Sequence, residues 1–212
     1  MAKLCYNYKI FSFHPLYDII NFMKIITTPD PRLRQKSTKA RHDDPEIIEV
    51  IAEMRKSCKE WEKEHKFELS AAMAAPQLGI NKRVIIVRDD FEDKENDHFT
   101  ALLNPEVIKT NTNMKRDYEG CLSVPYIYGY VSRPTKARIK AELEDGTPVR
   151  LKVDGFLART LLHEIDHLNG ILFVDHIKDD ESAFFKMNDQ GDLEPLDYNA
   201  EIKDNKDLFP DE

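Results

Sequence analysis

The sequence predicts an α+β protein: antiparallel β-sheets packed around a central helix that carries HEIDH, with an amphipathic helix on its N-terminal side. Three observations lead there. Short runs rich in Val, Ile and Tyr lie between polar turns through the middle of the chain. The spacing of those runs is that of hairpins, which favours antiparallel pairing. Two longer segments repeat apolar residues at helical spacing instead.

The first of these segments covers residues 44 to 65. Asp44 can cap it, Pro45 suits the first helical position, and Ile47, Ile48, Ile51, Met54, Cys58 and Trp61 then recur on one face. Cys58 and Trp61 are accordingly read as packing residues. "RVIIVR" at 83 to 88, "ALLNPEVIKT" at 101 to 110, "YVSRPTKARIKAEL" at 130 to 143 and "PVRLKVDG" at 148 to 155 read as strands. The second helix should run from about Gly155 to Asn169, capped by Asp154 and ended by Gly170 in a left-handed conformation. Beyond it, "ILFVDHI" suggests one more strand, and a short helix is expected around Glu181 to Met187.

With 41% hydrophobic and 33% charged residues among 212, the composition is that of an ordinary globular protein, and no apolar run reaches the ~18 residues of a membrane span. No membrane association is therefore expected. The net charge of −8 is concentrated in residues 179 to 212, which hold 12 Asp and Glu against 3 Lys. We read that segment as an acidic C-terminal tail that aids solubility. Basic residues occur only in short groups such as "KARIK", so direct nucleic-acid binding is not expected. The three cysteines form no C-x-x-C pair and suit a reducing compartment. Residues 1–22 are interrupted by His14, Pro15 and Asp18 and do not resemble an export signal. Met23 opens a more natural domain start, so 1–22 reads as an N-terminal extension or a misplaced start.

In "LLHEIDHLNG", His163 and His167 stand four apart, on one helical face, with Glu164 beside them. This is the HExxH arrangement of metal-dependent hydrolases. A catalytic site of this kind usually needs three protein ligands and one open position, so a third donor must come from elsewhere. Phe173 stands where a metzincin would place its last histidine, and phenylalanine cannot coordinate. Glu181 downstream would suit a zinc endopeptidase. Cys121, in "YEGCLSVP", sits at the end of an expected strand and would complete a Cys, His, His set, although a lone cysteine is more often a small buried hydrophobe.

Three strings, in order, resemble the peptide deformylase family: "SAAMAAPQLG" at 70 to 79, "EGCLSVP" at 119 to 125 and "HEIDH" at 163 to 167. The likeness extends from about residue 23 to residue 178, and we take 23–178 as the catalytic domain. It implies a divalent ion held by Cys121, His163 and His167, iron(II) being usual and zinc, nickel or cobalt able to replace it. It implies that Glu164 moves protons between water and the departing amine, and that Gln77 and the backbone N–H of Leu122 stabilise the oxyanion. The substrate implied is the N-formylmethionyl terminus of nascent chains, which suggests transient ribosome proximity and a cytoplasmic location, or an organellar one. Glu119 and Asp166 are read as supporting acids that pair with Arg133 or orient a ligand. Ala71, Tyr126, Phe156, Arg159 and Thr160 fall near the methionine pocket by motif position.

Two departures from the family pattern stand out. Ser70 and Ala72 replace glycines of the first motif, which would strain the backbone by about 1 to 2 kcal/mol per residue if those glycines had positive φ. Leu162 replaces a common glutamine, which removes a hydrogen bond near the ligands. A deformylase-like peptide-binding protein with little turnover is therefore the alternative that accompanies the zinc endopeptidase.

Overall fold

The structure, a computed structural model, describes residues 23–65, 69–93, 96–188 and 190–210. The N-terminal extension lies outside the described residues. Helix α1 (Pro45–Glu64) begins as its sequence dictates, with Asp44 accepting a hydrogen bond from the Glu46 N–H at 3.0 Å. Strands β1 (Ala72–Ala74), β2 (Val84–Arg88) and β3 (Phe99–Thr110) follow, then β4 (Met114–Cys121) and β5 (Val124–Pro134), then β6 (Lys136–Leu143) and β7 (Pro148–Asp154). Helix α2 (Gly155–His167) carries HEIDH, and β8 (Phe184–Met187) and β9 (Leu193–Pro195) come after it.

Every strand pair is antiparallel. One sheet has the order β1-β2-β3-β6-β7 and the other β4-β5-β8-β9. Alternation along β2 and β3 assigns the two helices to opposite faces of the first sheet. Ile47, Ile51, Met54 and Cys58 of α1 pack with Val84, Ile86, Ala101 and Leu103. Ala158, Leu161, Leu162 and Ile165 of α2 pack with Ile85, Leu102, Ile139 and Val153. Leu162 thus fills an apolar site.

Four expectations need correction. "YVSRPTKARIKAEL" is two strands, broken at Thr135, whose carbonyl accepts from the Gly155 N–H. "ILFVDHI" contains a 3-10 turn, Phe173–Ile177, because its apolar side chains fill a compact cluster with Val131 and Phe184. A short apolar run of this kind does not specify its conformation by pattern alone. Residues 184–187 form β8 instead of a helix, pairing with Ile127 to Gly129 of β5. Asp154 occupies the N-cap position of α2 in extended conformation, yet its side chain makes no cap hydrogen bond.

The end of α2 follows expectation. Gly170 has φ +76°, and a Cβ there would lie 2.3 Å from the Arg34 carbonyl oxygen, so only glycine fits. Arg83, buried, donates from Nη1 to the Leu168 carbonyl at 3.2 Å, supplying a partner that the helix end lacks.

Candidate active site

Helix α2 and the β4–β5 turn meet at the site. His163 and His167 leave the helix on one face, their ring centroids 5.0 Å apart. Cys121 is the last residue of β4, and pairing of Cys121 with Val124 closes a tight turn through Leu122 and Ser123. This turn brings Sγ of Cys121 to 3.2 Å from Nε2 of His167. The donor atoms of Cys121, His163 and His167 all lie within 4.8 Å of one another, the one such His, Cys, Asp or Glu group among the described residues. Glu181 is exposed and lies outside it.

The surroundings suit a cation. Glu119 Oε2 is 2.9 Å from Nδ1 of His163. An ionised carboxylate only accepts, so Nδ1 carries a hydrogen and Nε2 is the nitrogen turned to the site. Burial pushes Glu119 up, but hydrogen bonds from His163 and Arg133 outweigh it and hold the carboxyl well below the usual range. Burial pushes the His167 imidazole well down, so it is neutral and able to coordinate. Burial opposes a positive charge on His163, yet hydrogen bonds to Cys121 and Glu119 raise its pKa well above the usual value, so a metal ion binding there would displace the proton from Nε2. A thiolate, two imidazoles and a nearby carboxylate form a donor set that fits a divalent transition metal.

Arg133 joins this centre to the rest of the molecule. Its Nε and Nη2 donate to Glu119 at 2.7 and 2.9 Å, and its Nη1 donates to Asp166 at 2.6 Å. Asp166 also faces His176 Nε2 at 2.7 Å. Arg159 adds a further donor to Glu119 Oε1 and another to the Val131 carbonyl. Both guanidiniums are buried, so these pairs are much more firmly held than surface ion pairs.

Glu164 differs from its neighbours. It is buried, its Oε2 has no hydrogen-bond partner among the described residues, and burial pushes its pKa up to about 7. Gln77 is fixed by its own helical turn: Oε1 accepts from the Ala74 N–H at 2.8 Å, and Nε2 consequently points to Cys121 Sγ at 3.7 Å.

A cavity of about 280 Å³ opens beside these groups, lined in part by Ala71, Leu122, Phe156 and Thr160. Arg159 is also in its wall, as expected, whereas Tyr126 is 82% exposed and lines a neighbouring cavity. Several lining residues are not among those the sequence points to, Leu69 and Tyr118 included. Trp61 was assigned to packing but is half-buried at the cavity wall; Tyr128 and Met187 come from β5 and β8, whose pairing no local pattern disclosed.

Ser70 and Ala72 have no positive φ, since Asn104 and Tyr126 are the only non-glycine residues with one among those described. The anticipated strain is absent. Ser70 is instead tied down: its N–H and hydroxyl donate to Glu62 Oε1 at 2.8 and 2.6 Å, and its carbonyl accepts from Arg88 Nε at 3.1 Å. Arg88 also pairs with Glu62.

An antiparallel α+β frame with a thiol, two imidazoles and a buried glutamate around one point defines a metallohydrolase. The family model for polypeptide deformylase matches residues 22–183. A peptide deformylase of Prochlorococcus marinus is 39% identical over 161 residues, covering 75% of this chain and 76% of that protein. One of Thermomicrobium roseum is 40% identical over 158 residues, covering 73% and 85%. Among solved structures, a probable peptide deformylase from Synechococcus phage S-SSM7 superposes with a TM-score of 0.65 at 38% identity, covering 73% of this chain and 99% of that one. The chain belongs to the polypeptide deformylase family, whose members remove N-formyl groups from nascent peptides.

Proposed function

We propose that this chain removes the formyl group from the N-formylmethionine of newly synthesised proteins, releasing formate and a free amino terminus. The observation that carries the reading is the convergence of Cys121, His163 and His167 on one point, with Cys121, His163 and buried Glu164 in the wall of a cavity of about 280 Å³.

Cys121, His163 and His167 would hold the metal, iron(II) first, with zinc, nickel or cobalt as substitutes. Such an ion supplies Lewis acidity, bringing the pKa of water to about 7. Glu164, with a pKa near neutrality, accepts the proton of the attacking water and delivers it to the departing amine nitrogen. Gln77 Nε2–H and the Leu122 backbone N–H donate to the oxyanion as the formyl carbon becomes tetrahedral. The pinned Gln77 amide needs no reorientation to do so. Ala71, Phe156, Thr160 and the stem of Arg159 receive the methionine side chain.

The catalytic domain is taken as 23–178, with 1–22 an extension and 179–212 an acidic segment that adds β8 and β9 to the second sheet. A cytoplasmic location with transient ribosome proximity suits the substrate. The free thiols of Cys58 and Cys121 agree with it, and no helix among the described residues is long and apolar enough to cross a membrane. The test is formate release from formyl-Met-Ala-Ser by iron-loaded protein under anaerobic conditions, with metal content measured on the same sample. Binding of the peptide at full occupancy without formate would replace this reading with that of a binding protein.

A further inference from the structure

A second concavity, of about 240 Å³, adjoins the active-site cavity. The two share Trp61, Cys121, Leu122, Tyr128 and Met187, so they are parts of one cleft that meet beside a residue of the converging group. Their outer walls differ. The active-site cavity runs on to Phe156 and Thr160 of α2, whereas its neighbour runs on to His65, at the C-terminal end of α1, and to Tyr126 of β5. Among the described residues no Asp, Glu, Lys or Arg lines this neighbour, in a chain that is 33% charged. A depression that merely followed the protein surface would carry several of them.

Its walls are aromatic and soft. Trp61 and His65 stack with ring centroids 4.0 Å apart and planes 7° from parallel, which presents a flat slab. β8 lies beside β5, so the Tyr128 hydroxyl donates to Met187 Sδ at 3.9 Å and holds a thioether of the kind that packs well against rings. Tyr126 has φ +67° and is 82% exposed. A bulky residue in the left-handed region is strained where glycine would be at ease, and strain of this kind persists at ligand-binding positions. At that exposure the ring gains little from packing within the protein itself.

We propose that this concavity receives the side chain of the residue directly after formyl-methionine and selects an aromatic one. The inference deepens the deformylase reading and rests on it. β1 and β4 are the outer strands of their sheets among the described residues, and Ala72 of β1 and Glu119 and Gly120 of β4 line the active-site cavity. A peptide lying between two strand edges is extended, and its successive side chains point to opposite sides. With methionine directed toward Phe156 and Thr160, the next side chain is directed away from α2, toward His65 and Tyr126. Phenylalanine there has the stacked Trp61 and His65 rings, the Tyr126 ring and the Met187 sulfur as neighbours. Alanine leaves those surfaces wet, and a charged side chain finds no counter-charge.

The test compares formyl-Met-Phe-Ser, formyl-Met-Ala-Ser and formyl-Met-Ala-Phe as substrates of the full iron-loaded chain, by formate release under anaerobic conditions. kcat/KM for formyl-Met-Phe-Ser should exceed that for formyl-Met-Ala-Ser at least ~10-fold, as expected for burial of one large apolar side chain, with the difference in KM. Tyr126→Gly suits the positive φ, so it should fold as well as wild type while lowering that ratio at least ~3-fold. Met187→Glu places a carboxylate beside the Tyr128 hydroxyl and should raise use of formyl-Met-Lys-Ser relative to formyl-Met-Phe-Ser at least ~5-fold. Equal kcat/KM for the phenylalanine and alanine peptides, or ratios unchanged in both variants, would overturn the proposal. So would a preference confined to formyl-Met-Ala-Phe, which would give the concavity to the third residue. If no peptide yields formate, the deformylase reading fails, and calorimetric affinities of the same peptides for the metal-loaded chain still decide the concavity. Tighter binding of formyl-Met-Phe-Ser that Tyr126→Gly abolishes would support it, and equal binding would end it.

Discussion

Glu119 Oε2 lies 2.9 Å from His163 Nδ1, so one carboxylate on β4 sets the tautomer of an imidazole on α2. The same carboxylate receives Arg133 and Arg159. Replacing it by glutamine keeps the shape but removes the charge and one acceptor. Glu119→Gln should bind metal about 10 to 100-fold more weakly, as read by chelator competition. Glu119→Ala should also cost about 3 to 5 kcal/mol of stability, because it leaves two buried guanidiniums without their anion. Wild-type metal affinity in the glutamine variant would remove Glu119 from this role.

Glu164 should separate chemistry from metal binding. Its carboxylate is outside the converging group, so Glu164→Gln should retain the ion yet lose about 100 to 10,000-fold in turnover. The measurement is kcat together with metal stoichiometry on the same preparation. A metal-free Glu164→Gln protein would show that the residue supports the ion instead of the proton transfer.

The Ser70, Glu62, Arg88 cluster anchors the segment that enters β1 along the cavity wall. Ser70→Ala removes a hydroxyl donor to a charged acceptor and should lower stability by about 1.5 to 3 kcal/mol in urea denaturation. If the cluster positions substrate, KM for the formyl peptide should rise while kcat stays near wild type. A Ser70→Gly variant more active than wild type would show the side chain to be an obstruction.

Cys58 is fully buried, and burial pushes its thiol up to about 12. A thiol that is raised in the folded state but ordinary in the unfolded one is neutral on both sides of the equilibrium below about pH 8.5, where it affects stability little. Between that value and its folded pKa the unfolded chain alone ionises, so stability should fall as pH rises through this window. Cys58→Val should flatten that fall in urea titrations taken at several alkaline pH values. In peptide mapping after alkylation of native protein, Cys58 should stay unmodified, whereas Cys121 should become reactive once a chelator is added.

Local patterns carried much of this protein. Both long helices follow from apolar periodicity and Gly170, and the placement of His163 and His167 needs only the pitch of a helix. The approach of Cys121 to those histidines is a different matter, because it depends on where β4 ends relative to α2. Resemblance to a family supplied that contact; periodicity could not. The acidic C-terminal segment concealed β8 because Phe184 and Phe185 alternate too briefly to signal a strand without β5 beside them. Glu62 and Arg88 were invisible for the same reason, since their meeting at Ser70 is made by packing of α1 on β2.

X-ray absorption at the metal edge of zinc-loaded or cobalt-loaded protein examines the proposed centre directly. One sulfur at about 2.3 Å and two imidazole nitrogens at about 2.0 to 2.1 Å are expected, with the sulfur contribution lost in Cys121→Ala. A first coordination sphere of nitrogen and oxygen alone in the wild-type protein would contradict the assignment of Cys121, and with it the site on which the proposed reaction depends.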